Sequence, residues 1–198
     1  NSAGIATADG TESRKAVFAI AEHQGAVYLR LSRAPAPVFY GDNMRFEIGK
    51  GIRVREGNDV SIITTGTLLH NAIRAALLLE QEGIQAAVVD MHTVKPIDQN
   101  LILECAEQTG AMVTAEEHSI YGGLGSAVAE VLAEHCPVPM ERIGAVDFAE
   151  SGDYGQLMEK YGYGPESIAQ RCRAVMRRKQ DNGTGRLPER TLRPFDMP

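Results

Sequence analysis

The sequence has 198 residues, of which 43% are hydrophobic and 23% are charged, and its formal net charge is -6. Acidic and basic residues are interspersed along the chain, so a basic face that binds nucleic acid is not expected. The longest strongly apolar runs, at residues 60–64 and 86–89, are far shorter than the roughly 20 residues that cross a bilayer, so a membrane is not expected as a partner either.

The spacing of cysteines and histidines indicates neither a disulfide framework nor a metal site. Cys105, Cys136 and Cys172 lie far apart without a CxxC pair, which is typical of reduced thiols and indicates a cytoplasmic setting. The histidines lack the i, i+4 spacing and the cysteine partners that zinc sites use, so no metal-binding residue is expected. Residues 1–9 lack the charged-then-apolar order of a signal peptide, and nothing in them indicates export.

The first 58 residues are typical of part of an α/β unit followed by a linker. Apolar residues recur at helical spacing over residues 10–23, which predicts a helix. A β-rich run at residues 26–31 predicts a strand. Residues 46–54 alternate around a Gly-Lys-Gly turn and predict a small hairpin, and the polar segment 55–58 after it is the best candidate for a domain boundary.

From residue 59 onward, short apolar strands alternate with amphipathic helices. This pattern indicates a parallel sheet that is covered on both faces. The predicted fold is therefore an α/β, three-layer αβα sandwich with a mainly parallel sheet of about five strands, preceded by a partial α/β unit. Strands are predicted at residues 59–64, 85–90, 111–116 and 140–145, and helices at residues 69–79, 97–108, 123–134 and 165–178.

Two predicted strand-to-helix junctions are candidate ligand sites, because open α/β sheets bind ligands at the carboxyl ends of their strands. At residues 64–67, Thr-Thr-Gly-Thr could hold a phosphate on free backbone N–H groups, but it lacks a Walker lysine and a plain turn is the favoured interpretation. At residues 116–118, Glu-Glu-His precedes a glycine-rich run and is the best candidate by position. Gly123 and Gly125 do not meet the GxGxxG pattern of dinucleotide-binding loops, and tight helix packing is the alternative reason for them.

Arg30 and Arg33 lie around the end of the predicted strand at residues 26–31. A guanidinium group at that position could bind an anion at the edge of the sheet. Without further information, ordinary solvated arginines are the favoured interpretation.

Several segments resemble the transketolase family. The run YLRLSRAP at residues 28–35 resembles the end of the pyrimidine-binding domain of transketolases, and residues 8–12 (ADGTE) resemble the start of a family helix. The pattern at residues 116–127 is also shared by deoxyxylulose-phosphate synthases and by β subunits of 2-oxo acid dehydrogenases, whereas SRxP favours transketolase. The resemblance covers roughly residues 8–178. Segments similar to the C-terminal domain of the family are VREGNDVSIITTG at residues 54–66, VKPID at residues 94–98 and EEHSIYGGLGSA at residues 116–127.

The resemblance implies an enzyme that uses thiamine diphosphate and Mg²⁺ to move a two-carbon ketol unit between sugar phosphates. In transketolases the arginine of the SRQ-like motif contacts the phosphate of the sugar, which implies this role for Arg33. Ala34 stands where the family usually has Gln, which leaves the preferred acceptor open. The family's catalytic glutamate, its phosphate-binding histidines and its GDG metal motif have no counterpart in the sequence. No catalytic or cofactor-binding residue is therefore expected here. The chain alone should bind no cofactor and should be inactive.

The resemblance also implies a division of the chain and a set of partners. Residues 1–45 should be the partial end of the pyrimidine-binding domain, 46–58 a linker hairpin, 59–180 the C-terminal domain and 181–198 a tail. The expected partners are the missing N-terminal portion or subunit, further copies of the chain in a homo-oligomer, and sugar phosphates bound by the complete enzyme. The alternatives are a 1-deoxyxylulose-5-phosphate synthase, a β-subunit-like component of a 2-oxo acid dehydrogenase, and a non-catalytic assembly fragment.

Overall fold

The computed structural model describes residues 2–183. No helix in this range is long and apolar enough to cross a membrane. In chain order the elements are β1 (Ser2–Ala6), α1 (Gly10–Glu22), β2 (Ala26–Arg30), β3 (Ile52–Arg55), β4 (Val60–Thr64), α2 (Leu68–Glu80), β5 (Ala86–Asp90), β6 (Thr93–Lys95), α3 (Gln99–Thr109), β7 (Met112–Ser119), α4 (Leu124–His135), β8 (Met140–Ala145), α5 (Tyr154–Lys160) and α6 (Pro165–Gly183).

The main sheet of the described residues has five strands in the order β3-β5-β4-β7-β8. The pairs β5-β4, β4-β7 and β7-β8 are parallel, and β3 is antiparallel to β5 at one edge. Every residue of β4 and of β5 is buried, which matches their continuous apolar sequences and a position inside a sheet covered on both faces. The prediction of a mainly parallel sheet is confirmed.

Helices cover both faces of this sheet, and each face has its own hydrophobic core. Ile62 of β4 points into the core beneath α2 and α6, and its neighbour Ile63 points into the core beneath α3 and α4. This alternation is the two-residue repeat of a strand. The three-layer αβα sandwich predicted from the sequence is therefore confirmed.

A second sheet joins the N-terminal unit to the rest of the chain. Its order is β2-β1-β6, with β1 parallel to β2 and antiparallel to β6. The sequence did not predict β1, whose Ala and Gly residues have low strand propensity, or β6, which has only three residues. The strand β6 lies after β5, within residues 59–180. The predicted C-terminal domain therefore contributes one strand to the sheet that residues 1–45 form.

Two predictions near the domain ends differ from the structure. The hairpin predicted for residues 46–54 is wrong, because β3 pairs with β5 at the edge of the main sheet instead of folding back on residues 46–48. The helix α6 continues to Gly183, so the predicted tail does not begin at residue 181. The rest of that predicted tail, residues 184–198, lies outside the described residues. The helix α5 was not predicted.

Candidate functional site

The candidate site lies at the topological switch point of the main sheet, where the connections after two neighbouring strands run to opposite faces. The neighbouring strands β4 and β7 are followed by helices on opposite faces of the sheet, α2 after β4 and α4 after β7. Open α/β sheets bind ligands in the crevice outside the carboxyl ends of such strands. The N-terminal sheet also meets this point, because the Thr65 hydroxyl donates a hydrogen bond to the carbonyl of Ala6 at 3.3 Å.

A cavity of about 250 Å³ opens between the two sheets at this point. Its positive charges come from Arg30 and Arg33, neither of which forms an ion pair within residues 2–183. Its negative charge comes from Glu117. The cavity is lined by Ala6, Thr7, Arg30, Leu31, Ser32, Arg33, Thr65, Gly66, Thr67 and Glu117.

Arg33 is exposed and follows the end of β2. Next to it, the hydroxyl of Ser32 accepts a hydrogen bond from the backbone N–H of Ala34 at 3.2 Å, which shapes the turn after the strand. The structure therefore places Arg33 at the edge of the cavity, with a guanidinium group that has no ion-pair partner within residues 2–183. Arg30, which the sequence singled out with it, lies in the same wall.

The turn at residues 65–67 forms the opposite wall. Gly66 has a φ of +65°, a left-handed conformation that side chains other than glycine's disfavour. The Thr67 hydroxyl donates to Glu117 Oε2 at 3.0 Å and provides no cap for α2, so its side chain connects the ends of β4 and β7. The structure thus gives this turn a structural role and also places it beside the arginines. The sequence did not predict the pairing of Thr67 with Glu117, since the two residues lie 50 positions apart.

Glu116 and Glu117, predicted as one candidate site, point in different directions. Glu116 is buried, and its carboxylate accepts hydrogen bonds from the backbone N–H groups of Leu124 at 2.7 Å and Gly125 at 2.8 Å. Burial raises the pKa of Glu116, while these two backbone donors act in the opposite direction. Its role is to anchor the N-terminus of α4.

The glycine-rich run after Glu116 is explained by this anchor. A Cβ atom at Gly123 would lie 1.9 Å from Glu116 Oε2, well inside van der Waals contact. His118 is exposed, and its Nδ1 lies 3.9 Å from Glu116 Oε2. The motif therefore fixes the start of α4. Glu117, and not Glu116, lines the cavity.

The family of the chain follows from comparison with known proteins. The profile of the family "Transketolase, C-terminal domain" matches residues 49–168. The chain belongs to the transketolase family. It is 45% identical over 172 residues to a 6-deoxy-6-sulfo-D-fructose transketolase subunit of Clostridium sp. (strain MSTE9), a match that covers 86% of this chain and 53% of that protein.

Two further transketolase proteins give the same picture. An apulose-4-phosphate transketolase subunit of Phocaeicola vulgatus is 39% identical over 162 residues, which are 81% of this chain and 52% of that protein. The solved structure titled "Split gene transketolase, inactive beta4 tetramer" matches with a TM-score of 0.88 and 43% identity, over 90% of this chain and 59% of that one. The chain thus spans about half the length of the curated transketolase relatives that it matches.

The buried acidic side chains of the described residues make hydrogen bonds within the fold. Among the described residues, no group of three or more His, Cys, Asp or Glu side chains is arranged to hold a metal ion. The buried carboxylate of Glu116 is occupied by the start of α4, and that of Glu12 accepts a hydrogen bond from the backbone N–H of Ala8 at 2.6 Å.

Proposed function

We propose that this chain is the C-terminal part of a thiamine-diphosphate-dependent transketolase, which moves a two-carbon ketol unit between sugar phosphates. The observation that carries the proposal is the coverage of its relatives. Most of this chain matches named transketolase subunits, yet it accounts for only about half of each. The complete enzyme therefore needs the remaining portion, either as another segment of a longer chain or as a separate subunit.

The N-terminal sheet offers a place where that portion can bind. β2 is an edge strand of this sheet, and its outer side pairs with no strand among the described residues. The same N-terminal unit exposes apolar side chains: Phe18 and Tyr28 each expose 65% of their surface, and Val17 and Leu31 are also exposed. An unpaired edge strand is a feature of sites that another polypeptide covers. We assign this surface to the remaining portion of the enzyme.

Thiamine diphosphate and Mg²⁺ belong, in this proposal, to the complete enzyme, and this chain alone binds neither. The cofactor supplies the carbanion chemistry that transfers the ketol unit. The absence of a suitable carboxylate and histidine group within residues 2–183 supports this division of labour. Further copies of the chain are proposed to associate with one another, in line with the beta4 tetramer named for the related solved structure.

Arg33 is proposed to bind the phosphate group of the sugar substrate. Its guanidinium is exposed, lacks an ion-pair partner among the described residues, and shares a cavity wall with Arg30. A planar guanidinium can donate two parallel hydrogen bonds to a phosphate, which an ammonium group cannot reproduce. Two arginines that line one cavity can balance the two negative charges of a phosphate, and this is the physical basis for the role.

The test uses the complete enzyme with Arg33→Ala, Arg33→Lys and the exposed control Arg45→Ala. A charge-assisted hydrogen bond contributes about 1.5–3 kcal/mol, so Arg33→Ala should raise the KM for a sugar phosphate by about 10- to 150-fold. The KM for an unphosphorylated ketose should change little, because only the phosphate contact is removed. Arg45→Ala should behave like the wild type in both assays.

Three results would contradict the proposal. An unchanged KM for sugar phosphates in Arg33→Ala would remove the role of Arg33. Formation of 1-deoxyxylulose 5-phosphate from pyruvate would instead identify a deoxyxylulose-phosphate synthase. Failure of the complete assembly to transfer ketol units, with association intact, would leave the chain as an assembly module.

A further inference from the structure

Two acidic side chains from different parts of the chain meet in a fully buried position. Glu12 lies in the first turn of α1, and Asp90 is the last residue of β5, so they bring the N-terminal unit against the main sheet. The two carboxyl groups lie close enough to form a hydrogen bond with each other when one of them carries a proton. Tyr40, in the segment between β2 and β3, donates a hydrogen bond from its hydroxyl to Asp90 Oδ2 at 2.7 Å.

A third acid holds the connecting segment over this pair. Asp9, the N-cap of α1, accepts hydrogen bonds on Oδ2 from the backbone N–H groups of Phe39 at 2.6 Å and Tyr40 at 2.8 Å. Its other oxygen accepts from the backbone N–H of Glu12 at 2.8 Å. The hydrogen-bonding capacity of Asp9 is thus used by the backbone, whereas that of Glu12 and Asp90 is not fully used.

Within residues 2–183, one carboxyl oxygen of Glu12 and one of Asp90 receive no hydrogen bond. These buried atoms are Glu12 Oε1 and Asp90 Oδ1. A buried polar atom without a hydrogen bond costs free energy, and ionised carboxylates can only accept, so neither group can satisfy the other when both are charged. A single proton between them gives both oxygens a hydrogen bond and removes the repulsion of two buried negative charges.

We propose that Glu12 and Asp90 share one proton in the folded protein, and that this carboxyl–carboxylate hydrogen bond clamps the N-terminal unit to the main sheet. The clamp bridges the same two units that form the walls of the cavity beside Arg33. It therefore sets how β1 and β2 are placed relative to β4 and β7. Ionisation of the pair leaves two buried charges side by side and opens the clamp.

The surroundings of the pair favour retention of the proton. Burial, followed by the negative charge of Asp90, raises the pKa of Glu12 well above its ordinary value, and burial also raises the pKa of Asp90. The other titratable groups that act on the pair are Asp9, whose negative charge adds to the effect, and Tyr40, whose hydroxyl donates to Asp90. Since the folded state holds a proton that the unfolded state releases above pH 4.5, stability falls as the pH rises above that value.

The test compares denaturant unfolding of the 198-residue wild type and Glu12→Gln between pH 7 and pH 9. Glutamine keeps the shape of the glutamic acid and donates an N–H to Asp90, but it cannot ionise. One linked proton changes an equilibrium constant about tenfold per pH unit. The folding equilibrium constant of the wild type, divided by that of Glu12→Gln, should therefore fall about tenfold for each pH unit. Asp42→Asn is the matched control, because Asp42 lies in the same connecting segment with a side chain 90% exposed. The folding equilibrium constant of the wild type, divided by that of Asp42→Asn, should not change with pH.

Infrared spectroscopy at pH 8 gives a second readout, which detects the shared proton directly. The wild type should show the C=O stretch of a protonated carboxylic acid, and Glu12→Gln should lack it. A wild type without this band, or a ratio of folding constants that does not change with pH, would overturn the proposal.

Discussion

Replacement of Gly123 by alanine tests the link between the glycine-rich motif and the buried acid that anchors α4. The new Cβ would lie 1.9 Å from Glu116 Oε2 and 2.8 Å from its Cδ, so the carboxylate must leave its position. It then loses its hydrogen bonds to the N–H groups of Leu124 and Gly125. Hydrogen bonds to charged groups contribute about 1.5–3 kcal/mol each, and partial relaxation recovers some of this, so we expect a loss of about 2–4 kcal/mol.

Thermal unfolding followed by circular dichroism measures this loss. In a chain of this length each kcal/mol lowers Tm by about 2–4 °C, so Gly123→Ala should unfold about 5–15 °C below the wild type. Gly10→Ala is the control, since it adds the same methyl group at a helix start with nothing within 4 Å. It should be neutral or slightly stabilising.

A double variant separates the proposed cause from a general intolerance of alanine at this position. If the clash with Glu116 is responsible, Glu116→Ala with Gly123→Ala should be no less stable than Glu116→Ala alone, because the first change removes the atom that is struck. A Tm of Gly123→Ala within about 2 °C of the wild type, or additive losses in the double variant, would refute the reasoning.

Three further predictions concern other parts of the molecule. Tyr40→Phe removes the hydroxyl that donates to buried Asp90 Oδ2, and chemical denaturation should show a loss of about 1–3 kcal/mol; an unchanged midpoint would contradict the contact. Cys172 is fully buried and burial raises its pKa to about 12, so alkylation at pH 8 followed by mass spectrometry should modify the partly exposed Cys136 and spare Cys172 in the folded chain. Phe18→Ser removes an exposed ring of α1 in the N-terminal unit, so it should leave the Tm of the chain within about 2 °C of the wild type but weaken its association with the remaining portion of the enzyme in sedimentation experiments. If Phe18→Ser and the wild type associate equally well with the remaining portion of the enzyme, Phe18 does not contribute to that association.

The main sheet was predictable because each of its central strands has a local signal. Continuous apolar runs such as those of β4 and β5, separated by an amphipathic helix, specify a covered parallel sheet without knowledge of distant contacts. The strands β1 and β6 have no such signal, since Ala and Gly dominate the first and the second has three residues. Their pairing depends on the long-range approach of the N-terminal unit, which a local pattern does not encode.

The candidate site was predictable only in part, for a similar reason. Arg33 and the turn at residues 65–67 were both identified, but their position around one cavity depends on the contact between the two sheets. The pair of Glu12 and Asp90 was missed, because residues 78 positions apart in the sequence give no local pattern of a shared proton. Glu116 was predicted at the end of a strand, but β7 continues to Ser119, and the function of Glu116 as a helix anchor appears only when the distances to Leu124 and Gly125 are known.

Reconstitution of activity tests the central claim, that this chain is one part of a transketolase, most directly. The chain and the remaining portion of the enzyme would be produced separately, and ketol transfer between sugar phosphates would be measured for each alone and for the mixture with thiamine diphosphate and Mg²⁺. We predict activity in the mixture alone, with saturation as one component is titrated into the other. Ketol transfer by this chain without the other portion, or an inactive mixture in which the two demonstrably associate, would contradict the account.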